Sequence, residues 1–355
     1  MMANALTLTN LDTPLFTGAG ATKGDLVRYL DSVRDRLIPD LRNRPLSVIR
    51  AIRGRQPFMQ KNVPTYAPPW VRTVTIWADA SNRDVSYALC NDRRTLLWFA
   101  NQRAVEFHPA LVRAERLDKP LFLVLDIDPP SIEGFAAAVA AAQLVRVALG
   151  EYGLTGAVKT SGAKGLHIFV PVTRASHEEV AAAARGIAAR VEQLDPSLAT
   201  TAFMKDRRGG KVFIDATRVG GATVVAAYSP RVRAGTPVSF PLNWDELDQI
   251  APTDFTIHTA LRLASERSPW TDLLPRPQRL PAGLVGAGRA ILGRRPASAS
   301  SWRPASTTTS SPVSRVRNTT ERRGTRRARL IGPWGALPAE APDSPPPLPP
   351  AAHRR

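Results

Sequence analysis

LFLVLDIDPP, residues 121–130, is the stretch on which the reading turns. Leu121 to Leu125 and Ile127 are apolar, and Pro129 and Pro130, which cannot donate to a ladder, close the run, so it reads as a buried strand with a hard stop. Side chains two apart in a strand share a face, so Asp126 and Asp128 project together from its end. Two like charges so placed repel unless a cation lies between them, and oxygen-preferring Mg²⁺ or Mn²⁺ suits that need. The plainer alternative is a pair of acids capping the turn that follows.

KVFID (211–215) is a second apolar strand ending in an acid, Asp215. If the two strands are neighbours, three carboxylates converge, a set suited to two-metal phosphoryl transfer. Between them lies KTSGAKGLHIFV (159–170), two short strands around a turn in which Gly162 and Gly165 can expose backbone N–H groups to a phosphate. Lys164 adds a point charge and His167 a donor; the alternative is an ordinary hairpin with a half-buried histidine. Arg218 and Arg231 can balance triphosphate charge or form surface ion pairs. His108, in VEFHP, is either a phosphate contact or a core imidazole.

Elsewhere the pattern alternates helices and strands. Leu26, Tyr29, Leu30, Val33 and Leu37 predict a helix over 23–37. VTIWA (74–78) and VSYAL (85–89) predict strands joined by a turn, and ATVVAAY (222–228) another strand. A helix runs from the end of the Asp126 strand to about Leu149. Ser176 with Glu179 three residues on predicts a capping box, and Val180, Ala184, Ile187, Val191 and Leu194 the helix behind it.

The net charge of +18 points to a polyanionic partner, but it is unevenly placed. Residues 276–355 hold 15 Arg, no Lys and 3 acids, a surplus of 12, which leaves +6 for the rest. Residues 1–275 are therefore expected to fold, and the Ser/Thr/Pro- and Arg-rich residues 276–355 to stay disordered, as a nucleic-acid tether or a merely solvated tail. Only 7 of the 48 basic residues are Lys, and Lys23, Lys61, Lys159 and Lys164 all fall in motif-like segments. The single cysteine, Cys90, reads as a buried thiol in a reducing compartment. The N-terminus lacks the pattern of a signal peptide, and the longest apolar run, 134–150, falls short of a membrane span. A soluble cytoplasmic protein is expected.

Eight segments in order, LTNLDTPLFTGAGATKGDLVRYL, RPLSVIRAIRG, FMQKNVP, VEFHP, LVLDIDPP, KTSGAKGLHIFVP, VFIDATRVGGATVVAAYSPRVRAGTPVS and PLNWDEL, resemble the polymerase domain of bacterial DNA ligase D, of the archaeo-eukaryotic primase superfamily, across residues 6–250. The resemblance implies a mixed α/β (α+β) fold: a primase-type core with a small antiparallel catalytic sheet and an N-terminal α/β part. It implies a metal triad of Asp126, Asp128 and Asp215. It implies a nucleotide loop of Lys159, Ser161, Gly162, Lys164, Gly165 and His167, with Ser161 near the ribose 2′-hydroxyl and ribonucleotides favoured. His108, Arg218 and Arg231 match triphosphate-side positions. Lys23 matches a lysine that recognises the 5′-phosphate of a gapped or broken DNA end, Phe58 an aromatic that stacks on the template, and Lys61 follows it.

The function implied is templated addition of NTP or dNTP to a primer at broken DNA ends in non-homologous end joining, in a bacterial nucleoid. Because the chain carries no K-x-D-G segment, a separate ATP-dependent ligase is expected beside a Ku-like end-binding partner. A primase starting chains de novo and a non-catalytic end-binding module are the competing readings. Thr13 stands where the family usually has Lys, Met59 where it has a second Phe, and Val219 where it has Asn. The first implies weaker dependence on a 5′-phosphate, the second weaker template stacking.

Overall fold

The structure, a computed structural model, describes residues 6–78, 82–219, 221–293 and 327–328. Thr22 and Asp25 cap α1 (Lys23–Ser32) reciprocally. The helix expected over 23–37 is two: the chain kinks at Val33 and resumes as α2 (Arg34–Leu41). The kink still leaves Leu26, Leu30, Val33 and Leu37 all buried, so the apolar periodicity survives the break.

An N-terminal sheet follows, built from β1 (Leu46–Arg50), β2 (Phe58–Gln60), β3 (Arg72–Ala78), β4 (Arg83–Leu89) and, after α3 (Arg93–Asn101), β5 (Ala104–Pro109). The expected hairpin is β3–β4, paired from Arg72↔Leu89 to Ala78↔Arg83; residues 79–81 of its turn lie outside the described residues. β1 pairs antiparallel with β2, β4 and β5. The small ribbon of β6 (Val112–Arg113) and β7 (Arg116–Pro120) leads into the second sheet.

That sheet is centred on β8 (Phe122–Asp128), the strand the sequence singled out. After α4 (Phe135–Gly150) come β9 (Ala157–Thr160), β10 (Leu166–Pro171), α5 (His177–Leu194), β11 (Ala199–Thr200), β12 (Val212–Asp215) and β13 (Pro241–Leu242), in spatial order β11-β12-β8-β10-β9-β13. Only β11 and β12 pair in parallel. The Ser176–Glu179 capping box opens α5 as read. The helix over 132–150 is long and apolar enough to cross a membrane, contrary to the reading from its apolar run. It is instead a core helix, with Phe135, Ala138, Val139, Ala142 and Val145 buried.

Two expectations need correction. ATVVAAY is no strand: it is a buried extended segment that meets the protein through an Ala110↔Thr223 bridge and an Ala226 N–H bond to Phe107, until Tyr228 turns left-handed at φ 65°. The boundary drawn at 275 falls too early. After α6 (Ala260–Ser265) and α7 (Trp270–Leu273), Gln278 exchanges backbone bonds with Pro171 and Thr173, and α8 (Ala282–Gly293) packs along α5 with Leu284 and Val285 buried. The composition of 276–293 hid a short helix that finds its stability in packing rather than in a long apolar stripe. A last pair of residues, β14 (Arg327–Ala328), lies parallel to β3; the rest of the tail lies outside the described residues.

Candidate active site

β8 is flanked by the two strands that matter. β12 pairs antiparallel on one edge with Asp215 opposite Asp126, and β10 on the other with His167 opposite Asp126. β9 continues the row, with Lys159 opposite His167. Asp215, Asp126, His167 and Lys159 thus form one line across four strands, and Asp128 stands two residues beyond Asp126 on the same face. Cross-strand register sets Asp215 beside Asp126, and strand alternation sets Asp128 on the same face.

Each carboxylate meets cations. Arg218 lies 3.4 Å from Asp126 and 3.3 Å from Asp215. Asp128 takes Lys164 at 3.1 Å and Arg208 at 3.2 Å. Asp215 also accepts from the Thr217 hydroxyl at 2.6 Å and the Thr217 N–H at 2.8 Å. Burial opposes ionisation of Asp126, yet His167 and Arg218 outweigh it and hold this carboxyl well below its ordinary range. Asp215 goes the other way, raised by burial and by Asp126 beside it despite Arg218.

The row continues away from them as a chain of contacts. Lys159 is fully buried; its Nζ donates to Ser239 Oγ at 2.6 Å and faces His167 Nδ1 at 2.9 Å. His167 Nε2 faces Asp126 at 3.4 Å. Burial pushes the lysine down to about 7 and the histidine to about 4. At neutral pH His167 is therefore uncharged, accepting at Nδ1 from Lys159 and directing its Nε2–H to Asp126. Lys159, expected at the nucleotide, is buried at the end of the row, beside His167 and two strands from Asp126.

The turn after β9 is also tighter than its glycines suggested. The turn was read as exposing backbone N–H groups to a phosphate, but those of Ala163 and Gly165 both donate to Ser161 Oγ at 3.2 Å. Gly162 takes φ 68°, and a Cβ there would stand 2.8 Å from the Ser239 nitrogen. At Gly165 a Cβ would sit 2.0 Å from the Ile127 carbonyl oxygen, so only glycine lets the turn lie against β8 between the two aspartates. Lys164 reaches over the end of β8, bonding Asp128 and the Pro130 carbonyl. Beside it opens a cavity of about 520 Å³, lined among others by Ser131, Ala163, Arg233 and Thr256, a size that suits a nucleotide.

His108 and Arg231 meet on a residue the sequence reading missed. Glu106, buried on β5, accepts from Arg231 at 2.9 Å and from the Val232 N–H at 2.8 Å, and its other contact is His108 Nε2 at 2.8 Å. Burial would raise Glu106, but Arg231 and His108 bring it down to about 2. Arg231 also donates to the Ser161 carbonyl, tying this cluster to the nucleotide turn. The signal was present: Glu106 and His108 alternate in VEFHP and share a face. Arg208, also missed, carried no pattern; it stacks 3.9 Å over Phe213 and reaches Asp128 from a loop.

The residues read as DNA contacts lie in the N-terminal part, outside the β8 sheet. Lys23 is buried, its ammonium donating to the Thr9 carbonyl at 2.6 Å and Asn101 at 2.7 Å. Arg103 comes in beside it to the hydroxyl of Thr13 at 3.1 Å. Phe58 and Lys61 are exposed on and after β2.

Among the described residues no three His, Cys, Asp or Glu side chains close on a point that would hold a metal as they stand. The donors nevertheless fit a divalent cation: three oxygen-only ligands on adjoining strands, whose charge Arg218, Arg208 and Lys164 now offset.

Residues 22–270 match the family model of the LigD primase-polymerase domain. The bifunctional non-homologous end joining protein LigD of Bacillus subtilis (strain 168) is 33% identical over 287 residues, 79% of this chain and 46% of that protein. The multifunctional non-homologous end joining DNA repair protein LigD of Mycobacterium tuberculosis (strain ATCC 25618 / H37Rv) is 33% identical over 327 residues, 88% of this chain and 42% of that one. The chain thus spans less than half the length of these relatives. The polymerase domain of Mycobacterium tuberculosis Ligase D, solved in complex with DNA, superposes with a TM-score of 0.69 at 29% identity, covering 77% of this chain and 98% of the other. With its antiparallel sheets and mixed α/β build, the chain belongs to the LigD primase-polymerase domain family, of the archaeo-eukaryotic primase type.

Proposed function

We propose that this chain is a template-directed nucleotidyl transferase that extends a primer 3′-end at gaps and broken DNA ends during non-homologous end joining. The observation that carries the reading is the register that sets Asp215 opposite Asp126, with Asp128 on the same face. The reaction is in-line attack of the primer 3′-hydroxyl on the α-phosphate of an incoming nucleotide, with pyrophosphate leaving. Asp126, Asp128 and Asp215 would hold Mg²⁺ or Mn²⁺, which when bound activates the hydroxyl and offsets the triphosphate charge.

The chain's own groups do the rest. His167 orients Asp126 through its Nε2–H, and buried Lys159 holds that tautomer. Lys164 and Arg218, released from the carboxylates they now pair, face the triphosphate as counter-charges. Glu106 keeps Arg231 and His108 in place along the same side. Ser161, its oxygen accepting from two N–H groups, keeps its own proton for the ribose 2′-hydroxyl, which favours ribonucleotides. A DNA 5′-phosphate near Lys23, a Ku-like partner and a separate ATP-dependent ligase complete the reading, set in the bacterial nucleoid.

The test is primer extension on gapped DNA with a 5′-phosphate, NTP against dNTP, in Mn²⁺ and in Mg²⁺, with Asp128→Ala as control. Templated addition that the variant loses supports the reading. Folded wild-type protein that binds the gap without adding a nucleotide overturns it in favour of an end-binding module, and addition on unprimed single strands in favour of a primase.

A further inference from the structure

From Leu41 to Ala78 the chain carries seven Arg or Lys and no Asp or Glu, in a domain whose overall surplus is small. Among the described residues Arg50, Arg53, Arg55 and Lys61 of this stretch pair with no carboxylate. Two large rings beside Arg50 stand exposed: Phe58 is 39% exposed and Tyr66 58%. Tyr66 is the more exposed of these and the only one of the five tyrosines classed as exposed.

Arg50 joins the two rings. It sits opposite Phe58 in the β1–β2 register, with its guanidinium 5.9 Å from the Phe58 ring centre. One of its nitrogens donates to the Tyr66 hydroxyl at 3.0 Å and to Gln60 at 2.8 Å, while Nε holds the Gln102 carbonyl at 2.8 Å. The tyrosine is thus anchored by its polar end, and its ring is left to solvent. Rings held at an acid-free cationic surface meet the two needs of an unpaired strand, stacking for its bases and charge for its phosphates.

We infer that Tyr66 is a second base-stacking ring beside Phe58, positioned by Arg50, and that the two together seat single-stranded DNA of the template. This deepens the polymerase reading by adding a contact residue, and rests on it for the identity of the strand. The ring does the binding; the hydroxyl only aims it.

The experiment measures binding of the full chain to a fluorescent oligo-dT, and to the same strand carrying 2-aminopurine, for wild type, Tyr66→Ala and Tyr66→Phe. Tyr66 is exposed, so the variants should keep the wild-type melting temperature. Loss of one stacked base should weaken Tyr66→Ala binding roughly 5- to 100-fold and restore 2-aminopurine fluorescence, with Tyr66→Phe, which keeps the ring and loses the aiming bond, falling between it and wild type. Equal binding by wild type and Tyr66→Ala overturns the inference, as does equal loss in both variants, which would assign the effect to the Arg50 bond. Wild type that fails to bind the strand overturns it too. Wild type that binds and stacks but never extends a primer leaves the ring in place and removes the polymerase reading alone.

Discussion

The two sheets treat charge in opposite ways. In the β8 sheet every acid of the row is answered from within, by Arg218, Arg208, Lys164 or His167. On the β1–β2 surface Arg50, Arg53, Arg55 and Lys61 pair with no carboxylate among the described residues. The first arrangement takes a new cation only by exchange, as basic side chains give up their carboxylates. The second waits for a polyanion from outside. On the proposed reading, chemistry and strand binding use different sheets, and each should fail separately.

The largest effect should come from Asp126→Ala or Asp215→Ala. Either should lower extension roughly a thousandfold or more, the order of several kcal/mol expected of lost metal activation. DNA binding, measured by anisotropy, should hold; a joint loss of both would break the division between the sheets. Next comes Glu106→Gln. Glu106 is depressed to about 2 in the folded chain, so its contribution is complete above the unfolded value near 4.5 and is lost as pH falls towards 2. That amounts to about 3 kcal/mol at neutral pH. The variant should melt lower at pH 7 and show a flatter acid limb, and an unchanged melting curve would remove Glu106 as the anchor of Arg231. The smallest effect is on the open surface. Arg53→Glu with Arg55→Glu should cut the salt dependence of DNA binding by about one unit of slope per lost phosphate contact, leaving turnover at saturating DNA intact. A fall in turnover at saturation would show that the two sheets are coupled.

Where local pattern decides structure, the sequence was legible. The β3–β4 hairpin, the Ser176 capping box and the apolar β8 strand follow from side-chain period and end signals that act within a few residues. It was illegible where a neighbour distant in sequence intervenes. The kink at Val33 keeps both halves of a helix on one core, and ATVVAAY is buried by β5 without joining a ladder. Residues 282–293 became a helix because α5 offers a surface for it.

The site divides in the same way. Residue type and strand alternation alone determined that Asp126 and Asp128 share a face, that the chain carries an oxygen donor set, and that a glycine-rich turn lies between two strands. Tertiary structure decided that Asp215 stands opposite Asp126, that Lys159 is buried beside His167, that Glu106 meets Arg231, and that Ser161 fills its own turn. The period of a strand is set by its own backbone, whereas its register against a partner, and the burial that shifts Lys159 and His167, depend on segments tens of residues away.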